Sequence, residues 1–99
     1  MANSITSNPI IIDTWSADIV LSKAGESFMV EQIKLLSAAD ADIVAFDNAA
    51  GTKIWQMVQT GASDVVDDYI VFNFSDGVTI DVSDCTGLGA GDILWIYLK

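Results

Sequence analysis

The chain has 99 residues, 52% of them hydrophobic, which suffices for one domain with a single core but leaves a high ratio of surface to volume. Fourteen acidic residues stand against four lysines, with no arginine and no histidine, for a net charge of -10. That balance excludes nucleic acid as a partner, since Lys23, Lys34, Lys53 and Lys99 are scattered singly, and it makes an anionic membrane surface equally unfavourable.

Residues 1–9 are polar and short-sided and end in a proline that restricts the residue before it, so they read as a flexible N-terminal arm, either extended or a disordered start, leading into a single domain over residues 10–99. Ile10, Ile11 and Ile12 form a β-branched run, and Asp18 to Ser22 a second one, so both read as short strands. Lys23 to Glu26, with Gly25 inside, reads as a turn. Ser27 to Ser37 carries a partial helical spacing in Met29, Ile33 and Leu36. It also alternates as a strand, with Phe28 and Val30 in one phase and Ile33 and Leu35 in the other. A bulge near Glu31 and Gln32 reconciles the strand reading, which the β-rich neighbours favour.

The clearest local signal spans Ile43 to Val58. Two apolar arms flank Asp47, Asn48 and Gly51, residues that supply side-chain-to-backbone bonding and a permissive backbone, and the pattern predicts a β-hairpin with its tip at Asn48 to Thr52. Thr60 to Asp64 is the next turn. Val65 to Phe74 begins with an acidic kink at Asp67 and Asp68 and finishes as a strand with Ile70, Phe72 and Phe74 on one face. Ser75 to Gly77 reads as a compact turn, and with the alternating Val78, Ile80 and Val82 beyond it predicts a second hairpin. Cys85 to Gly91 is a glycine-rich loop. The last strand, Asp92 to Lys99, is apolar on both faces, with Ile93, Trp95 and Tyr97 opposing Leu94, Ile96 and Leu98.

Seven or eight strands at roughly ten-residue spacing predict an all-β fold, an antiparallel β-sandwich of Ig-like or jelly-roll-like kind, with a closed barrel as the alternative. Twelve of the fourteen acids are Asp, which suits turns where Glu suits helices. The hydrophobic fraction exceeds the usual range of about 45 to 50%, a range that includes glycine. The excess points to a homo-oligomer, because subunit contacts absorb apolar surface that a lone domain exposes. Candidate interface residues are Ile10, Ile11 and Ile12 in the first strand, Trp55 and Met57 in the hairpin's second arm, and Trp95 and Tyr97 in the last strand.

No enzyme is expected. Without histidine the usual nucleophilic triads and the commonest general base are missing, which leaves the carboxylate pairs Asp67 with Asp68 and Asp81 with Asp84 as the only acid-base candidates. No cofactor is expected either, because Gly87, Gly89 and Gly91 are followed by a strand where a dinucleotide fingerprint needs a helix. Asp40 with Asp42, or Asp64 with Asp67 and Asp68, fall outside the twelve-residue calcium loop, so no metal is assigned. Cys85 is alone and reads as a buried, inert thiol. No basic segment leads a long apolar stretch, so neither a signal peptide nor a membrane span is expected. Trp15 and Trp55 are the one pair suited to stacking on a sugar ring.

The layout resembles small tailed-phage virion proteins, especially capsid decoration or cement proteins built as compact β-sandwiches. The resemblance rests on the polar arm, the early strand Asp18 to Leu21, the hairpin around Phe46 to Ile54, the Phe74 to Gly77 turn and the closing Ile96 to Leu98 strand. It implies a virion structural component made in the host cytoplasm, present in symmetric copies such as a trimer, and bound to a virion protein such as the major capsid protein. A tail or adaptor component, or a carbohydrate-binding module, are the alternative readings. The resemblance carries no site residues with it.

Overall fold

Among the described residues each strand pairs only with antiparallel neighbours. The computed structural model describes residues 3, 5, 7–37, 42–59, 65–69, 72–89 and 91–99. In chain order these form β1 (Ile10–Ile12), β2 (Ile19–Leu36), β3 (Ile43–Asp47), β4 (Lys53–Val58), β5 (Val65–Asp68), β6 (Phe72–Ile80), a single 3-10 turn (Val82–Asp84) and β7 (Ile93–Leu98). The fold is all-β, as the apolar alternation and turn chemistry imply. All seven strands belong to one sheet in the order β1-β7-β2-β6-β3-β4, with β5 on the remaining side of β2. Among the described residues no helix is long and apolar enough to cross a membrane.

β2 organises this sheet. Its first part, to Val30, pairs with β6, its second part, from Val30 to Leu36, pairs with β7, and Ile33 to Leu36 lie between β7 and β5. The sheet therefore curls, and side chains from β1, β2, β3, β4, β6 and β7 meet in one core, with Ile12, Val30, Ile33, Leu35, Val44, Phe46, Val78, Ile80, Leu94 and Ile96 fully enclosed. The curl brings β4 against β5, where the Trp55 indole Nε1 donates to Asp68 Oδ2 at 2.9 Å. Phe46 anchors the same region, its ring 4.6 Å from that of Trp55 and 6.1 Å from Phe74.

Two expected reversals are bends of paired strands. Lys23 to Glu26 lies inside β2, and Ser75 to Gly77 inside β6, so neither segment turns the chain back and the second hairpin does not exist. The two segments face one another. The register runs Ala24 with Asp76 and then Phe28 with Phe74, so β2 carries extra residues where β6 bends. Turn-forming residues on both strands at one level let a long two-stranded ribbon fold over, which an unbroken ladder of β-branched residues resists. Gly77 sits at the closest point, with φ of +84°. A Cβ there would stand 3.0 Å from Ala49 Cβ and 3.2 Å from the backbone of Lys23 and Ala24.

The hairpin of β3 and β4 forms as expected. Asn48 Oδ1 accepts from the backbone N–H groups of Ala50 (3.0 Å) and Thr52 (2.9 Å), and Gly51 takes a positive φ. Its tip docks on the bend, where Ala49 N–H donates to Asp76 O at 3.0 Å. The expected bulge near Glu31 is present too, as a register shift between Val30 and Gln32 against β7. β6 ends at Ile80, earlier than its alternation suggests, because Asp81 caps the 3-10 turn with its side chain on Ser83 N–H.

Of the arm, residues 1, 2, 4 and 6 lie outside the described set. Asn3 Oδ1 accepts from Asp13 and Thr14 N–H, each at 2.9 Å. The Asn8 side chain caps the end of β7, its Oδ1 accepting from Leu98 N–H at 2.9 Å. The expected turn at Thr60 to Asp64 also lies outside the described residues.

Trp15 follows β1 and is buried, with its indole Nε1 donating to Asp92 O at 3.0 Å. Trp15→Phe removes that donor and leaves space beneath it. Urea denaturation is expected to register a loss of about 2 kcal/mol.

Candidate functional site

The register assigns each strand residue to one of two faces. On the inner face, Ile12, Leu94, Leu35 and Val66 form one row across β1, β7, β2 and β5, and Ile10, Ile96, Ile33 and Asp68 form the next. On the outer face, Ile11, Trp95, Lys34 and Asp67 form the corresponding row. Ile93, Leu36 and Val65 flank it on one side, and Tyr97 with Gln32 on the other. Ile11, Leu36, Ile93, Trp95 and Tyr97 are each half-buried, and Val65 is exposed. Polar contacts knit the row to its surroundings, since Lys34 Nζ lies 5.5 Å over the Tyr97 ring and Gln32 Nε2 donates to Asp67 Oδ2 at 3.2 Å.

The seven candidate interface residues therefore divide. Ile11, Trp95 and Tyr97 share the outer face. Ile10, Ile12 and Met57 point inward and are at most 8% exposed, because they alternate with outward neighbours on strands whose inner face closes the core. Trp55 is half-buried and rests on Phe46, with Ile54 and Val58 on the outward side of its strand. Leu36, Ile93 and Val65 complete the outer face and were not singled out by sequence. Their signal was the apolar alternation opposite in phase to the core set, which reads as a second face only once the neighbouring strands are known.

The sugar-stacking pair is not presented. Trp15 is buried with its N–H committed, and Trp55 packs on Phe46 and bonds Asp68. Of the carboxylate pairs, Asp67 and Asp68 occupy opposite faces of β5, since they are adjacent in a strand. For the calcium candidates, Asp40 and Asp64 lie outside the described residues, while Asp42 is buried with its carboxylate against Gly87.

Asp81 and Asp84 do come together, and a third acid joins them. After Thr79 pairs with Asp47, the chain leaves β3, forms the 3-10 turn, and returns to bridge Thr86 with Ile43. This excursion places oxygens of Asp47, Asp81 and Asp84 within 4.8 Å of one another. Asp47 is 2% exposed, and its Oδ1 is enclosed with no hydrogen-bond partner. Its carboxyl is pushed up from 3.8 to about 6, first by burial, then by its hydrogen bond with Asp84 and the charges of Asp84 and Asp81, with Lys53 opposing. Asp81 is held below the usual carboxylate range by the hydrogen bonds it accepts from Ser83. Cys85, next to this turn and half-buried, has its thiol pushed up chiefly by burial, so it stays protonated and unreactive at neutral pH.

Comparison of the chain with protein-family models, with curated proteins and with solved structures returns no match.

Proposed function

We propose that the protein is a non-enzymatic structural protein of a virion, a capsid decoration or cement protein that forms a small homo-oligomer and binds the major capsid protein. The observation that supports this reading is the outer face of β1, β7 and β2, where Ile11, Trp95, Tyr97, Ile93 and Leu36 lie side by side and half-buried. Aromatic residues beside aliphatic ones on a preformed sheet face are what a protein-protein contact uses as its anchor. The charge of -10 favours a basic surface on the partner and keeps copies apart except where apolar faces meet. A tail or adaptor role uses the same face. The carbohydrate reading loses its support with the burial of Trp15.

Sedimentation at micromolar concentration is expected to show an oligomer for the natural chain and a monomer for the Ile11→Lys, Tyr97→Lys double variant, both with the same β circular dichroism. A monomeric natural chain would count against self-association. Cosedimentation with undecorated capsids tests the second half of the proposal, and the absence of binding by the oligomer rejects a decoration role. Deleting residues 1–8 is a poor probe of the arm, because Asn3 and Asn8 bond the folded chain. Ile5→Ser, at a position 43% exposed, alters the arm while leaving those bonds in place.

A further inference from the structure

We infer that Asp47, Asp81 and Asp84 form a binding site for a hard divalent cation of the calcium class, assembled by the excursion of the chain between Thr79 and Thr86. Three observations converge on it. The first is geometric: calcium holds its oxygens at about 2.4 Å, so ligands around one ion lie up to about 4.8 Å apart. The three carboxylates are within 4.8 Å of one another. The second is the state of Asp47. A cluster of surface acids satisfies itself with water, but Asp47 is 2% exposed and its Oδ1 is enclosed without a donor. An enclosed carboxylate oxygen among other carboxylates needs a positive partner, either a proton or a cation.

The third observation is that two contacts from outside the cluster, at Asp18 and at Thr79, brace a turn that is also bonded within itself. Asp18 Oδ1 accepts from Val82 N–H at 3.0 Å, and Ser83 N–H and Oγ hold one oxygen of Asp81 at 3.0 and 2.6 Å. Asp84 N–H donates to Asp81 O at 2.9 Å, which closes the turn. β3 fixes Asp47 from the other side through its pairing with Thr79. The donor set selects the ion. All three donors are carboxylates and the chain has no histidine, so the site offers hard oxygen ligands and an imidazole-seeking metal has no claim.

The test uses the full chain, freed of divalent ions by chelation and returned to buffer at near-neutral pH with about 0.15 M potassium chloride to screen diffuse charge effects. With an affinity of about 0.1 mM, as befits three carboxylates on a partly open turn, about 1 mM calcium is expected to raise the melting temperature by about 5 °C. Backbone amide shifts in a 15N–1H spectrum should be confined to Asp47, Asn48 and residues 81–85. Asp84→Asn is expected to fold at least as stably as the natural chain in chelator, since it removes a repulsive charge, and to lose both the rise and the shifts. Asp47→Asn should do the same, while Asp67→Asn, on β5 and outside the cluster, should keep the full response. The inference is overturned by the absence of a calcium effect, which assigns the cluster a shared proton. It is equally overturned by an undiminished rise in Asp84→Asn, which marks general screening of an acidic surface, or by a response to zinc and none to calcium.

Discussion

Gly77→Ala is expected to destabilise the protein by about 3 kcal/mol in denaturant melts. Two costs add. Gly77 has a φ of +84°, which costs a residue with a Cβ about 1 to 2 kcal/mol. The added methyl also meets Ala49 at 3.0 Å and the backbone of β2 at 3.2 Å. These contacts lie where the β6 bend, the β2 bulge and the hairpin tip converge, so relief requires moving backbone. Gly25 offers the comparison, because it too has a φ of +84° but has open space where its Cβ would lie. Gly25→Ala should therefore cost only the conformational part, about 1 kcal/mol. Equal losses for the two variants would show that the close approach at Gly77 contributes nothing.

Stability measured in chelator should fall as pH rises from about 4 to about 7, and Asp47 should account for about 2 to 3 kcal/mol of that fall. In the unfolded chain Asp47 ionises at its ordinary 3.8, whereas in the folded chain burial and the neighbouring Asp84 and Asp81 hold its proton until about 6. The folded state thus binds more protons between those values. The stabilisation is complete below 3.8 and is lost as pH passes through 6. Asp81 acts in the opposite sense, since its lowered value stabilises the fold above the ordinary carboxylate range and loses that effect only in stronger acid. Asp47→Asn should match the natural chain in acid and exceed it by about 2 kcal/mol above neutrality. A difference between the two proteins that stays flat across this range would refute the assignment to Asp47.

What could be read from the residues divides along the distance over which each feature is determined. The β3 and β4 hairpin was legible because Asn48 and Gly51 build its turn from bonds within five residues. The bulge at Glu31 was legible because the phase of burial changes across it. Gly25 and Gly77 were read correctly as breaks and wrongly as reversals. Whether such a break sends a strand back or bends it depends on the partner strand, and here each break is the other's partner. The candidate interface followed the same rule. Apolar residues on both faces of β7 were visible, but only the pairing of Trp95 with Ile11 and Lys34 shows which set lies outside. In the acidic cluster, Asp81 and Asp84 stood out as a nearby pair. Asp47 did not, although a carboxylate closing an otherwise apolar strand was a signal that it would be buried.

β2 has a consequence for how the molecule comes apart. Its 18 residues serve β6 along one part and both β7 and β5 along the other, so the ladders on either side share a single backbone. If that strand leaves, β6 and β7 each lose a ladder and β5 loses its partner, while the β1–β7 and β3–β4 pairs are left as isolated ribbons, which favours cooperative unfolding. The same arrangement makes folding slow. β2 must meet β6 and β7 across dozens of intervening residues, and loop closure has to precede the contacts that reward it.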